Sequence, residues 1–194
     1  MGRIRLEITM SLDGFSAGAN VRIDNPLGDH GQRLHDWLFR GASGNDIDRQ
    51  MTNEFMSATG AFILGRRTFD VGVGLWGEDG AFGKPCFVLT HRAEAELVKG
   101  PTSFTFVTDG IESALKQAQA VAGAKDVCVM GGAAVMQQYL KARLADELHI
   151  HIANILLGGG TRLFGGAASQ PVALETMRVS HSPLATHLAY RIVK

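Results

Sequence analysis

A predicted strand, a glycine pair and a predicted helix follow one another between residues 127 and 140. The apolar run Val127–Met130 suits a short strand that is covered on both faces. Gly131 and Gly132 then allow a close backbone approach, and apolar residues recur at helical spacing as far as Leu140. Because the first turn of a helix has unpaired amides and the positive end of the helix dipole, this junction suits an anion, usually phosphate.

Two observations limit that interpretation. Strand-glycine-helix junctions also occur wherever a sheet has to turn tightly, with no ligand involved. In addition, the Gly-x-Gly-x-x-Gly spacing of a Rossmann dinucleotide site is missing from this stretch. A nucleotide site here therefore requires a different fold.

The composition is that of an ordinary soluble protein, with 45% hydrophobic and 20% charged residues in a chain of 194. We expect one domain that spans residues 1–194. The formal net charge is zero and the basic residues are dispersed, which argues against nucleic acid or an acidic membrane as a partner. Since no apolar run is long enough to cross a bilayer and the first residues alternate like a strand, we expect a cytoplasmic protein.

Two further polar clusters follow predicted strands. Gly65–Thr68 provides a glycine, two guanidinium groups and a hydroxyl after the apolar run Ala61–Leu64. Arginine donors match phosphate oxygens, although a solvated basic helix start explains the same residues equally well. His91 and Arg92 occupy the same position after the strand Cys86–Thr90.

The order of the elements predicts the fold class. Strands alternate with helices through the middle of the chain, and two strands, Thr176–His181 and Ala185–Val193, pair as a hairpin at the end. We therefore expect an α/β fold with a mixed, mostly parallel central sheet, flanking helices and a C-terminal antiparallel hairpin. We interpret the glycine-rich segment 71–85 as a mobile flap or a surface excursion. Together with the loop 16–31, it is typical of lids over a reaction site.

Five motifs occur in an order and spacing that resemble one family. They are Ser11-Leu12-Asp13-Gly14-Phe15, Leu64-Gly65-Arg66-Arg67-Thr68-Phe69, Met130-Gly131-Gly132, Asp146-Glu147-Leu148 and Leu156–Phe164. Over nearly its whole length the chain resembles dihydrofolate-reductase-fold proteins related to the C-terminal reductase domain of the bifunctional riboflavin biosynthesis protein. This resemblance implies a dihydrofolate-reductase-like fold, an oxidoreductase with NADPH as cofactor, and a homodimer.

The resemblance also assigns cofactor-binding residues to the phosphate and adenosine end, the pyrophosphate, and the loop over the nicotinamide. These residues are Thr9, Asp13, Ser16, Ala17, Gly65, Arg66, Arg67, Thr68, Thr90, Arg92, Gly131, Gly132, Ala133, Val135 and Gln138. The pair Arg66 and Arg67 favours NADPH over NADH, because the two cofactors differ by one phosphate that an arginine can bind.

Catalysis is where the sequence departs from true dihydrofolate reductases. Ala134 and Met136 stand where that family has an arginine for the cofactor phosphate and an aromatic residue beside the nicotinamide. Asp48 lies close to the position of the family's acidic residue and is the catalytic candidate. An exposed carboxylate at a helix start would explain Asp48 as well. Other polar candidates on the substrate side are His151 and the loop around Asp24, and the deaminase motifs of the bifunctional enzymes are missing.

Three functions are therefore open. The first is an NADPH-dependent reductase of a small heterocyclic or carbonyl substrate, pterin-like or flavin-precursor-like. The second is a protein that binds NADPH without catalysing a reaction. The third is a metal-dependent hydrolase that uses His149 and His151, which alternate on one strand, although no spacing selects a further ligand and we assign no metal.

Overall fold

The computed structural model describes residues 2–40, 46–165 and 171–194. Its strands are β1 (Ile4–Ser11), β2 (Phe15–Ala17), β3 (Thr59–Gly65), β4 (Pro85–Leu89), β5 (Leu97–Lys99), β6 (Thr102–Val107), β7 (Asp126–Val129), β8 (Glu147–Ala153), β9 (Thr161–Arg162), β10 (Leu174–His181) and β11 (Ala185–Ile192). The helices are α1 (Asp36–Phe39), α2 (Asp46–Ala58), α3 (Arg66–Gly72), α4 (Ile111–Ala122) and α5 (Ala133–Lys141), and a 3-10 helix, Gly31–His35, precedes α1. In the described part of the chain, none of the helices has the length and apolar character needed to cross a membrane.

Nine of these strands form the central sheet, in the order β10-β11-β8-β1-β7-β3-β4-β6-β5. The strands from β8 to β6 in this order pair in parallel, whereas β11 with β8, β10 with β11, and β5 with β6 pair antiparallel. The predicted mixed sheet with a C-terminal hairpin is therefore confirmed. Strands β2 and β9 form a separate two-stranded sheet.

The two faces of the central sheet are packed differently. On one face, apolar side chains of the central strands pack against α4 and α5; Leu6, Ile63, Val129 and Tyr139 in this core are completely buried. Burying one such aliphatic side chain stabilises the fold by about 2 kcal/mol. On the other face, an aromatic cluster covers β3, β4 and β6.

The segment 71–85 is anchored by this aromatic cluster. Trp76 stacks on Phe104 with 5.6 Å between ring centroids and meets the edge of Phe82 at 4.9 Å. Trp76 is therefore packed against the aromatic side chains of the sheet face. The sequence did not indicate this packing, because the aromatic partners come from other parts of the chain, whereas the glycines are visible locally.

The polar face of β1 is also buried. Arg5, Glu7 and Thr9 alternate with apolar residues, as they would on a solvent-facing strand, yet each is less than 10% exposed. Helices α1 and α2 cover this face, with Trp37 and Met51 in a small core of their own. A buried polar face needs partners for its charges, and those partners bear on the site described below.

A close contact between β3 and α5 sets the geometry where both elements meet. A Cβ added to Gly65 would lie 2.9 Å from Val135 Cγ2. We expect Gly65→Ala to lower the free energy of unfolding by about 1–3 kcal/mol through overpacking, as measured by denaturant unfolding. Gly74→Ala is the matched control, because a Cβ there meets nothing within 4 Å. Equal stability of Gly65→Ala and the wild type would contradict this packing.

Candidate active site

A cavity of about 1440 Å³ opens at the carboxyl ends of the parallel strands β3, β4 and β7. Ligands commonly bind at this edge of an open α/β sheet, because the loops and helix starts that follow the strands meet there. The cavity is lined by the ends of these strands, the first turns of α3 and α5, the loop after β2, and side chains of α1 and α2.

The cavity brings together nearly all of the predicted cofactor-binding residues. Thr9, Ser16, Ala17, Gly65, Arg66, Arg67, Thr68, Thr90, Arg92, Gly132, Ala133, Val135 and Gln138 line it. Asp13 and Gly131 do not; Gly131 lies between the lining residues Met130 and Gly132, and Asp13 lies three residues before the lining residue Ser16. Residues from five separate segments thus form one site.

The hydrogen bond between Gly65 and the glycine pair fixes the centre of this site. The Gly65 amide donates to the Gly131 carbonyl at 2.8 Å, and Gly131 has a φ angle of 119° that favours glycine. Gly131 therefore does not line the cavity, but its carbonyl holds the end of β3 close to the start of α5 through this hydrogen bond. Helix α5 begins without a side-chain cap, and Ala133 and Ala134 of its first turn both face the cavity.

One end of the cavity is rich in guanidinium groups. Arg66 donates to Asp70 at 2.7 Å and pairs with Glu94, and these contacts raise the pKa of Arg66, with the Glu94 hydrogen bond contributing most. Arg92 lies 3.5 Å from Asp70, and the exposed Arg67 donates to the Val21 carbonyl at 3.0 Å. Three guanidinium groups thus face two carboxylates.

Neutral donors complete this end of the cavity. Thr68, Thr90 and Thr108 line it, together with the imidazole of His91. Thr68 lies close to the glycine pair, since a Cβ on Gly132 would be 3.4 Å from its Oγ1. The excess of positive charge, the hydroxyl groups and the start of α5 form a donor set that fits an anionic ligand with phosphate groups.

Asp13 lies outside the cavity lining, and its carboxylate is bound by groups of neighbouring loops. Its carboxylate accepts hydrogen bonds from the hydroxyl of Ser11 at 2.5 Å and from the amides of Leu157 and Gly158 at 3.1 and 2.7 Å. These hydrogen bonds, the Ser11 hydroxyl first, lower the pKa of Asp13 to about 2. Asp13 therefore fixes the loop before β9, and β9 pairs with the lid strand β2.

The other part of the cavity wall is mostly apolar. Leu38 and Phe39 of α1 and Phe55 and Met56 of α2 line it. Its polar members are Thr9, His35 and Thr52, and no Asp or Glu of the described chain lines the cavity. This half suits a flat, largely uncharged ring that makes a few specific hydrogen bonds.

Asp48 lies behind this wall. Its side chain is completely buried, which shows that the interpretation as an exposed helix-start carboxylate was wrong. Thr52, one turn later on α2, lines the cavity, whereas Asp48 does not. The exposed Asp24 also lies outside the lining, although its neighbours Val21 and Pro26 belong to it.

Asp48 ends a continuous chain of buried polar groups. Its Oδ1 lies 2.9 Å from His187 Nε2, and the Nδ1 atoms of His187 and His151 are 2.8 Å apart. His151 Nε2 then lies 3.2 Å from Glu7 Oε1, and Glu7 Oε2 lies 2.8 Å from Arg5 Nε. We call Asp48, His187, His151 and Glu7 the histidine chain.

Trp37 connects the histidine chain to the cavity wall. Its ring lies 4.3 Å from the ring of His151 and 5.1 Å from that of His187, measured between centroids. Its indole N–H donates to Thr9 Oγ1 at 3.1 Å, and Thr9 lines the cavity. A buried indole needs such an acceptor, so this bond fixes the Thr9 hydroxyl.

His149 and His151 both have partners other than a metal. His149 Nε2 lies 3.0 Å from Glu147 Oε2, and His151 belongs to the histidine chain. Within residues 2–40, 46–165 and 171–194, no group of three His, Cys, Asp or Glu side chains has a geometry that could hold a metal ion. These contacts do not favour a hydrolase that uses the two histidines.

The family of the chain follows from comparison with known proteins. The sequence model of the RibD C-terminal domain matches residues 3–188. The chain therefore belongs to the RibD C-terminal domain family, a family of reductase domains of riboflavin biosynthesis, as the five motifs indicated. Reductase chemistry is accordingly its class of function.

One relative is similar to this chain in sequence, and three solved structures are similar to it in fold. The uncharacterized protein YyaP of Bacillus subtilis (strain 168) is 27% identical over 176 residues, which cover 84% of this chain and 80% of YyaP. A protein of Shewanella sp. PV-4 described as a riboflavin biosynthesis protein superimposes with a TM-score of 0.74 at 24% identity, over 99% of both chains.

The other two structures match at lower identity. A pyrimidine reductase-like protein of Corynebacterium diphtheriae has a TM-score of 0.63 at 15% identity, over 100% of this chain and 92% of its own. A deaminase/5-amino-6-(5-phosphoribosylamino)uracil reductase of Thermotoga maritima has a TM-score of 0.64 at 17% identity; it covers 99% of this chain, which spans 57% of the Thermotoga chain. At such identities the structures establish the shared fold.

His35 makes the cavity wall sensitive to acid. Burial lowers the pKa of His35 to about 4 from an ordinary value of 6.5, so the imidazole is neutral at neutral pH. Between these two values the unfolded chain binds a proton that the folded chain does not, so stability falls as the pH falls from 6.5 to 4. The full loss is on the order of 3 kcal/mol.

We expect His35→Asn to remove this part of the acid sensitivity, as measured by denaturant unfolding across that pH range. His30→Asn is the matched control: His30 is exposed and has a left-handed φ of 59°, which asparagine tolerates. The account of His35 is wrong if both variants lose stability with falling pH as steeply as the wild type does.

Proposed function

We propose that the protein is an NADPH-dependent reductase that transfers a hydride to a small heterocyclic or carbonyl substrate. The observation that carries this proposal is the convergence of the predicted cofactor residues on one cavity, with three guanidinium groups at one end and an apolar wall at the other. The family is one of reductase domains, and the donor set fits a phosphate-bearing cofactor.

Each part of the cavity has a task in this proposal. Arg67 and Arg92 would bind the phosphate on the adenosine ribose, and the start of α5 with Gly132 would bind the pyrophosphate. Thr9, Ser16 and Ala17 would hold the nicotinamide end. The cofactor, when bound, supplies the hydride and its electron pair.

The apolar half of the cavity limits the substrate. Phe39, Phe55 and Met56 offer surfaces for a flat ring, while His35 and Thr52 offer hydrogen bonds to its polar edge. A reducible C=N or C=O carbon would accept the hydride, and the nitrogen or oxygen beside it would then require a proton. The name of the Thermotoga relative points to a phosphoribosylaminopyrimidine, so a riboflavin precursor of this class is the first substrate to test.

Asp48 is our candidate for the acid that supplies this proton. It lies one turn before the lining residue Thr52 on α2, and its Oδ2 is buried without a hydrogen-bond partner in the described structure. The same observation, a carboxylate behind the wall rather than on it, favours a second candidate function. That candidate is a protein that binds NADPH without catalysis.

The two candidates differ in turnover. Consumption of NADPH, followed by loss of nicotinamide absorbance, is measured with the phosphoribosylaminopyrimidine, a pterin and simple carbonyl compounds. Turnover with any of these substrates supports the reductase. Tight NADPH binding with no turnover across the set supports the binding protein.

Arg67 allows a sharp test of the cofactor assignment. Its guanidinium is exposed, whereas Arg66 is already paired with two carboxylates. We expect Arg67→Ala to weaken NADPH binding about 10- to 100-fold, the range of a charge-assisted hydrogen bond, and to change NADH binding little, as measured by calorimetric titration. Arg191→Ala, on the distant strand β11, is the control. Equal losses for both cofactors would refute the assignment.

We also propose that the protein forms a homodimer through β10. This strand is at the edge of the central sheet and exposes Leu174, Met177 and Val179, of which Val179 is 60% exposed. In sedimentation velocity we expect a dimer for the wild type and a monomer for Val179→Glu. Val121→Glu, at an exposed position of α4, should remain dimeric. A monomeric wild type would refute the proposal.

A further inference from the structure

The hydrogen bonds of the histidine chain determine how many protons its four side chains share. Three hydrogen bonds join its four members, and each bond requires one proton between its two heavy atoms. Two neutral imidazoles carry two protons in total, and ionised carboxylates carry none. The three hydrogen bonds therefore need three protons, whereas two neutral histidines and two ionised carboxylates have only two. The histidine chain holds one additional proton.

The charges around the chain agree with this count. With the additional proton, the two carboxylates of Asp48 and Glu7 are balanced by that proton and by Arg5, whose Nε lies 2.8 Å from Glu7 Oε2. All of these side chains are less than 10% exposed. An uncompensated charge at this depth would cost several kcal/mol, so a neutral cluster is strongly favoured.

Other charged and titratable groups face the cluster from the neighbouring elements. Asp126 on β7 lies 3.8 Å from Arg5, and His149 lies on β8 beside Glu7 with its own partner Glu147. Burial lowers the pKa of His149, so this ring is neutral at neutral pH. The charge of Arg178 on β10 acts to lower the pKa of His187, and His35 of the 3-10 helix lies near enough to His151 for the two rings to interact electrostatically.

The additional proton has two possible positions. In the first arrangement His187 donates from Nε2 to Asp48, and His151 donates from both nitrogens and is an imidazolium under the ring of Trp37. In the second arrangement two of the three protons have crossed their hydrogen bonds, from His187 Nε2 to Asp48 and from His151 Nδ1 to His187 Nδ1, so Asp48 is a neutral carboxylic acid and both imidazoles are neutral. Both arrangements keep a proton between His151 and Glu7.

The pKa directions of the chain are consistent with these arrangements. Burial acts to raise the pKa of Glu7, but the His151 hydrogen bond and the charge of Arg5 outweigh it, so the pKa is lowered and Glu7 is a carboxylate. Burial lowers the pKa of His187 more than its hydrogen bond to Asp48 raises it. His187 therefore has one proton in both arrangements and can pass protons in either direction.

We propose that the histidine chain is a buried proton store that delivers its additional proton to Asp48. The inference rests on the proposed function only for its use, because Asp48 is the candidate acid of the reductase. Starting from the first arrangement, a proton moves from His187 Nε2 to Asp48 and another from His151 Nδ1 to His187 Nδ1, which gives the second arrangement. Asp48 then gives up its proton to the nitrogen or oxygen of the reduced substrate, and two protons remain in the histidine chain. The chain then lacks one proton, which solvent must restore.

The count is tested directly by ¹⁵N NMR of the imidazole rings in the wild-type protein at neutral pH, with carboxyl ¹³C shifts for Asp48 and Glu7. Two-bond correlations distinguish protonated from unprotonated ring nitrogens. We expect three protons in the chain, either with His151 protonated at both nitrogens or with Asp48 protonated and both rings neutral. Two neutral rings together with two ionised carboxylates would overturn the proposal.

The delivery of the proton is tested by kinetics. His187→Asn interrupts the chain but retains Asp48, so we expect turnover to fall about 100-fold or more with a changed pH profile, while the NADPH dissociation constant and KM change little. Asp48→Asn should have the same effect. His149→Asn, on the same face of the sheet but outside the chain, is the control. Unchanged turnover in His187→Asn would overturn the proposal that the histidine chain delivers a proton to Asp48.

The two proposals fail in different ways. If the wild type binds no NADPH or reduces no substrate, the reductase proposal fails, and the NMR count still decides whether the store exists. If His187→Asn does not fold, the wild-type spectrum alone tests the count. A solvent isotope effect on wild-type turnover then tests the delivery, and the absence of one under conditions where the chemical step limits the rate would overturn it.

Discussion

The hydrogen bond between the Gly65 amide and the Gly131 carbonyl is the contact on which the cavity depends. It joins the end of β3 to the glycine pair after β7, so α3 and α5 begin at the same edge of the sheet. Because a side chain at Gly65 would overlap Val135, the two helix starts can approach this closely only with glycine present. The arginines of α3 and the first turn of α5 consequently face one volume.

The central strand β1 has two buried faces with opposite chemistry. Its apolar face belongs to the main core, where burial stabilises the fold without any directional requirement. Its polar face must satisfy every charge internally, because desolvation of an unpaired carboxylate or guanidinium is costly. The result is a connected row from Arg5 to Asp48 across β1, β8, β11 and α2. A fold that needed only stability could have used apolar residues here.

Much of the fold, and the set of residues that line one half of the cavity, could be predicted from the sequence. The junctions at Gly65 and Gly131 are local signals, and the motif order identified the family that the family comparison then established. The buried polar face could not be predicted in the same way. Polar and apolar residues alternate over residues 4–9, as they do in a strand with one face exposed to solvent. Glu7 and His151 are buried because α1 and α2 cover this face, which the sequence pattern does not show. His35 and Trp76 were misjudged or missed for the same reason, since their environments come from distant segments.

Backbone amide resonances recorded during addition of NADPH test whether this cavity binds the cofactor, as we propose. We predict shifts concentrated at residues 65–68, 90–92 and 132–135, with the lid residues Ser16 and Ala17 also affected. Shifts confined to other surfaces, or none at saturating NADPH, would contradict the account.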